Sequence, residues 1–325
     1  MATSRPVRVL VGIVLVGIVL ALLAPMPAAQ ARPPAVVSVE TLSPGHVRLQ
    51  VFSAASRRVI PVDVLLPANR GRAPTLYLLN GAGGGEDTAN WLDQGRAPEF
   101  FADKNVNVVI PMSGSFSYYT DWRRDDPMLG RHRWETFLTR ELPPLIDQTL
   151  STTGRNAVAG LSMSGSAALL LAERAPGRYV AAASFSGCPN TSGPLGSAYV
   201  RMTVEGRGAG DVTNMWGPLG GPDWTAHDAE INANRLRGIG VFVSAGPGLP
   251  GRYDNPADPA KLHQILIGGP IEAAVRQCSQ QFVDRLHQLG IPVTTYFPAT
   301  GTHAFAYWHD ALKQAWPLLS RYLNG

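Results

Sequence analysis

Val158-Ala159-Gly160-Leu161-Ser162-Met163-Ser164-Gly165 is the stretch on which the fold turns. Residues 156–161 (NAVAGL) are a short apolar run, as a strand buried on both faces must be. Residues 164–175 are rich in Ala and Leu and read as a helix. A serine on so sharp a strand-to-helix turn needs a small residue two places before it and another two places after. The turn presses those positions against neighbouring backbone. Gly160 and Ser164 meet the requirement, with Ser164 standing where glycine is usual. The helix that follows brings the positive end of its dipole to the place where negative charge would develop. Ser162 is therefore the candidate nucleophile, set against the plainer reading of a serine that only caps a helix.

On either side of this turn, apolar runs alternate with amphipathic stretches. Residues 47–52 and 59–66 read as paired strands, and residues 75–80, 106–112, 179–186, 240–245 and 292–297 as further strands. Residues 134–150, 272–289 and 304–323 have helical spacing. Strand and helix repeated in this way predict an α/β-hydrolase fold, a mostly parallel central sheet with helices on both faces. The stretch 189–237, rich in Gly and Asn with scattered Trp, reads as an excursion above the sheet that helps to wall a site. With 45% hydrophobic and 16% charged residues, the chain can bury a large core and is not a disordered protein. Residues 32–325 are expected to form a single domain.

A serine needs a base, and in this fold the chain order is serine, then acid, then histidine. His132 precedes the serine, and His227, His263 and His287 lie in polar loop or helical contexts. His303, in a Gly-containing loop after a strand and before the last helix, stands where the fold presents its base. His309, six residues on, is expected at the surface. Position after the strand at 240–245 leaves three carboxylates, Asp254, Asp258 and Glu272, without deciding among them. An oxyanion hole needs two backbone N–H donors. One is expected at Met163 and the other in the loop Asn80-Gly81-Ala82-Gly83-Gly84-Gly85, where glycine permits close approach. That loop lacks the Lys-Ser/Thr of a phosphate-binding P-loop.

The N-terminus has the form of an export signal. Arg5 and Arg8 precede the apolar run 9–23, and Ala29-Gln30-Ala31 is a small-x-small cleavage pattern, so residues 1–31 are expected to be removed. Fifteen apolar residues are few for a membrane span. The formal charge is +4 and falls to +2 without Arg5 and Arg8, which does not suggest nucleic acid as a partner. Two cysteines, Cys188 and Cys278, in an exported chain favour one disulfide, and their spacing fits no zinc site.

Six segments in order resemble the secreted mycolyltransferases of mycolic-acid bacteria, the antigen 85 type and their corynebacterial relatives. They are LYLLNGAGGGEDTANW (76–91), SYYTDW (117–122), AGLSMSGSAALLLA (159–172), NMWGP (214–218), Glu272 with RQCSQQF (276–282), and GTHAFAYW (301–308). The resemblance implies Ser162 as nucleophile, His303 as base and Glu272, ten residues before Phe282, as the acid. It narrows the second oxyanion donor to the Ala82 N–H and supports a Cys188–Cys278 bridge. It also places Asn80, Gly83, Trp216 and Phe305 at the substrate. There the chain departs from the family, having Asn80 for Asp, Gly83 for Arg and Phe305 for Trp, so the charges that meet trehalose in the family are absent. The implied activity is transfer of a long acyl chain from a trehalose ester, through a seryl intermediate, to a sugar or other alcohol in the cell envelope, with no metal or cofactor. A secreted carboxylesterase and a non-catalytic surface binding module are the alternatives.

Overall fold

The computed structural model describes residues 1–2 and 32–325, so the expected signal and cleavage site lie outside the described residues. The strands are β1 (Ala35–Ser43), β2 (His46–Ser53), β3 (Arg58–Leu65), β4 (Thr75–Leu79), β5 (Asn107–Pro111), β6 (Asn156–Leu161), β7 (Ala181–Phe185), β8 (Gly240–Ser244) and β9 (Val293–Tyr296). They form one sheet in the order β1-β2-β3-β5-β4-β6-β7-β8-β9. β1, β2 and β3 are antiparallel, β3 meets β5 antiparallel, and every pairing from β5 through β9 is parallel. Residues 33–325 form one compact unit.

Alternation along the strands explains the layering. On β6, Val158 packs to one face of the sheet while Ala157, Ala159 and Leu161 pack to the other. The first face is covered by the elbow helix Met163–Arg174 and the helix Gly269–Gln288, through Leu169, Phe282 and Leu286. The second is covered by the C-terminal helix Phe305–Asn324, through Leu312, Ala315 and Leu319. With both faces covered, β4 to β8 are buried at every position, which is why each reads as a near-continuous apolar run. Each fully buried Leu or Phe contributes about 1.5–3 kcal/mol.

The structure departs from the sequence reading at the sheet edge, in the helix after β5 and above the sheet. The strand β1 carries no signal in the sequence, because on an exposed edge it has no buried face to impose a period. The expected helix over 134–150 is interrupted by a π-helical turn, Phe137–Glu141. Pro143 and Pro144 follow it and have no N–H to return to the preceding turn, so the helix cannot keep its regular ladder through them. The excursion 189–237 contains short helices at Pro194–Arg201, Val212–Trp216 and Pro222–Ala226. Two of these begin at Gly-Pro, where proline at the first helical position sacrifices no hydrogen bond.

Candidate active site

The turn between β6 and the elbow helix holds Ser162 at φ 56°, ψ −123°, a conformation that costs a non-glycine residue about 1–3 kcal/mol. The surroundings enforce it. A Cβ on Gly160 would lie 2.2 Å from the Ser164 carbonyl oxygen, so no larger residue fits there. Ser164, the departure from glycine, uses its hydroxyl structurally. Its Oγ accepts from the Leu161 N–H (2.9 Å) and donates to the Leu79 or Leu161 carbonyl, both at 3.0 Å. The Leu79 carbonyl also accepts from the Trp91 indole at 2.8 Å. The end of β4, which launches the glycine-rich loop, is thereby fixed to the elbow.

His303 lies on the loop after β9 and presents Nε2 to Ser162 Oγ at 2.8 Å. Its Nδ1 meets Glu272 Oε2 at 2.7 Å. Glu272 stands in the first turn of Gly269–Gln288 and is 2% exposed. A buried carboxylate needs its remaining lone pairs filled. Glu272 Oε1 accepts from Ser186 Oγ (2.7 Å) and the Gly246 N–H (2.6 Å). Ser186 Oγ in turn accepts from the Trp308 indole at 2.8 Å. Trp308 also sets its ring edge-to-face against His303, with centroids 4.8 Å apart. Imidazole and carboxylate are thus each held from two sides.

Gly81 brings the loop after β4 against the nucleophile, since a Cβ there would lie 2.8 Å from Leu161 Cδ1 and 3.7 Å from Ser162 Cβ. The amides of Ala82 and Met163 donate to no protein group among the described residues. Met163 is the first residue of the elbow helix, where the N–H has no intrahelical acceptor. A cleft of ≈ 670 Å³ opens over Ser162 and His303, with Gly81, Ala82, Gly83 and Phe305 in its wall and Asp87, Arg207, Lys261 and Gln264 among its polar lining. Tyr199 packs on the disulfide and places its hydroxyl beside Ser162. Burial, with Tyr118 and Glu272 nearby, raises its pKa and keeps it protonated. The arrangement can take a proton from Ser162, hold the resulting imidazolium against a carboxylate, and receive negative charge at two free amides.

The structure brings Ser162, Glu272, His303, Ala82 and Met163 together and sets Gly83 and Phe305 in the cleft wall. It corrects two expected substrate contacts. Asn80 is fully buried, its Oδ1 accepting from the Trp91 N–H (3.0 Å) and its Nδ2 donating to the Pro111 carbonyl (3.1 Å). Trp216 is fully buried as well, stacked on His227 and edge-to-face with Tyr118 and Trp224. Neither lines the cleft. Asp254 holds other groups and does not meet His303. His309 is half-buried, with Nδ1 2.9 Å from the Gly95 carbonyl. Cys188 and Cys278 are bonded, 90 residues apart in sequence. Ser186 and Trp308 escaped the sequence reading of the site. Trp308 belongs to the GTHAFAYW motif, but nothing around Ser186 marks it. Among the described residues, no group of three or more His, Cys, Asp or Glu side chains is placed to hold a metal.

Sheet order, elbow and glycine-rich loop are those of the α/β-hydrolases. The chain belongs to the putative esterase family, which it matches over residues 53–319. It is 32% identical over 287 residues to diacylglycerol acyltransferase/mycolyltransferase Ag85A of Mycobacterium leprae, covering 85% of this chain and 83% of that protein. This similarity bears out the antigen 85 resemblance carried by the motifs. Among solved structures, MPT51 of Mycobacterium tuberculosis superposes with a TM-score of 0.73 at 27% identity, over 87% of this chain and all of that one. An S-formylglutathione hydrolase of Agrobacterium tumefaciens shares the fold, with a TM-score of 0.64 at 16% identity over 89% of this chain and 100% of that one.

Proposed function

We propose that the protein is an exported serine acyltransferase, a single-domain enzyme that moves a long acyl chain from a glycolipid ester of the trehalose mycolate kind to an alcohol of the cell envelope. The observation that carries the reading is the continuous chain from Ser162 through His303 to Glu272, with contacts of 2.8 and 2.7 Å. His303 removes the Ser162 proton as Oγ attacks the ester carbonyl, and Glu272 steadies the imidazolium. The tetrahedral oxyanion accepts from the Ala82 and Met163 amides. Collapse breaks the ester bond, and His303 returns its proton to the departing sugar hydroxyl. In the second half His303 deprotonates the acceptor alcohol as its oxygen attacks the acyl-enzyme; collapse breaks the bond to Ser162, and His303 returns the proton to Ser162 Oγ.

The antigen 85 relatives, named as acyltransferases, support transfer as the outcome. Export is supported by the signal-like residues 1–31 and by a disulfide, a bond that persists in oxidising compartments. The esterase reading shares the first half-reaction and ends on water.

The test has two parts. A fluorophosphonate probe should label the protein at Ser162, and Ser162→Ala should abolish labelling and lower turnover by about 10⁴–10⁶-fold. Mass spectrometry of products from trehalose monomycolate, with and without added sugar acceptors, should then show new esters. Free acid as the sole product under every acceptor condition would leave hydrolysis as the activity.

A further inference from the structure

Asp254 is 8% exposed and lies at a junction of three segments near the base. Its Oδ1 accepts from Gln264 Nε2 (2.8 Å) and Thr302 Oγ1 (3.0 Å). Its Oδ2 accepts from the Gly251 N–H (2.9 Å) and the Tyr307 hydroxyl. Thr302 and Tyr307 flank His303 in the motif GTHAFAYW, so part of that motif serves this carboxylate. Gln264 Nε2 also donates to Thr302 Oγ1 at 3.1 Å. A second link, from the His303 N–H to the Gly268 carbonyl (3.3 Å), joins the same helical segment, residues 259–268, to the base loop.

These bonds decide the orientation of one amide. An ionised carboxylate only accepts hydrogen bonds, so the NH₂ of Gln264 must face Asp254. The amide nitrogen donates to Asp254 and Thr302. The side-chain carbonyl oxygen is left over. It has no hydrogen-bond partner among the described residues, and Gln264 lines the same cleft as Ser162 and His303. An acceptor alcohol must bring one hydroxyl to His303 Nε2 to be deprotonated. A polyol doing so holds its other hydroxyls in the cleft, where a fixed carbonyl can accept from one of them. A monohydric alcohol or water offers no such second group.

We infer that Gln264 is a specificity-determining residue for the acceptor, its carbonyl taking a hydrogen bond from a second hydroxyl of a polyhydroxylated substrate, with Asp254 and Thr302 as the positioning residues that set its orientation. The inference rests on the acyl-transfer reading above.

The experiment uses p-nitrophenyl decanoate as acyl donor and measures the ratio of ester product to free acid, with trehalose or ethanol as acceptor. This ratio compares two fates of one acyl-enzyme, so a change in acylation rate cancels. Gln264→Leu removes both the donors and the carbonyl. Gln264→Lys keeps hydrogen-bond donors for Asp254 but has no acceptor. Loss of one neutral hydrogen bond should lower the trehalose ratio by about three- to tenfold in both variants, while the ethanol ratio moves by less than about twofold. Unfolding temperature and fluorophosphonate labelling check that each variant is folded. A trehalose ratio in Gln264→Lys equal to that of the parent would overturn the inference, since only anchoring would then matter. So would equal losses with trehalose and ethanol. If the parent enzyme itself yields only acid with every alcohol, the transfer reading falls before any variant is made, and the inference with it.

Discussion

Replacing Ser186 by Ala tests how the acid is held. Glu272 Oε1 has two donors, the Gly246 N–H and Ser186 Oγ, and the carboxylate is 2% exposed, so loss of one donor leaves a largely desolvated oxygen short of a partner. A hydrogen bond to a charged group contributes about 1.5–3 kcal/mol. At about 1.4 kcal/mol per factor of ten, the variant should lose about 10- to 150-fold in kcat on a short-chain ester. KM should change little, because Ser186 does not line the cleft. The substitution is clean in backbone terms. Ser186 sits at φ 51°, and Ala meets the same left-handed strain as Ser, so the hydroxyl alone is removed. The assay is steady-state hydrolysis of p-nitrophenyl butyrate, with unfolding temperature as the check on folding. Parent-like kcat in a folded Ser186→Ala protein would refute the claim that this hydroxyl orients Glu272.

Three further outcomes are expected. Gly160→Ala should fail to accumulate as soluble protein or lose about 3 kcal/mol of stability, measured by urea unfolding, because a 2.2 Å approach to the Ser164 carbonyl cannot be relieved without opening the elbow. The double variant Cys188→Ser/Cys278→Ser should lose up to about 4–5 kcal/mol, the chain-entropy value for a bridge spanning 90 residues. An unchanged unfolding temperature would show that the bridge does not constrain the unfolded chain. His132 is pushed down to about 4, by burial first and then by the charge of Arg58. Between about pH 6.5 and 4 the unfolded chain binds a proton that the folded one refuses, so stability present above pH 6.5 drains away as pH falls, by up to about 3 kcal/mol. Urea unfolding at pH 7.5 and 4.5 should show a steeper loss for the parent than for His132→Gln, and equal losses would contradict the assignment.

Much of this architecture was legible in the sequence because both faces of the sheet are covered. Strands such as Thr75–Leu79 and Gly240–Ser244 then have no polar side to interrupt the apolar run. The elbow was legible because steric demand writes itself as small residues, at Gly160 above all. What stayed hidden depends on direction. Asn80 and Trp216 were assigned to the substrate by position in a motif, yet residue type does not say which way a side chain points, and both turn into the core. Three carboxylates remained open on position alone, because Asp254 and Glu272 differ only in what the folded chain places beside them. One meets an imidazole, and the other a threonine, a tyrosine and a glutamine. Ser186 had no signal at all, since its hydroxyl acts through a partner 86 residues away.

Carrying the acid on a helix instead of a loop makes chain length an angular variable. Each residue added to an α-helix turns everything beyond it by about 100°. Cys278 is bonded to Cys188, and Glu272 stands six positions upstream on the same helix. A single insertion or deletion between them would swing the carboxylate off the imidazole or drag the sulfur off its mate. The loop between β8 and the helical turns that begin at Pro259 carries no such phase relation. Natural length variation among relatives should therefore collect before residue 259 and spare the six-residue interval from Glu272 to Cys278.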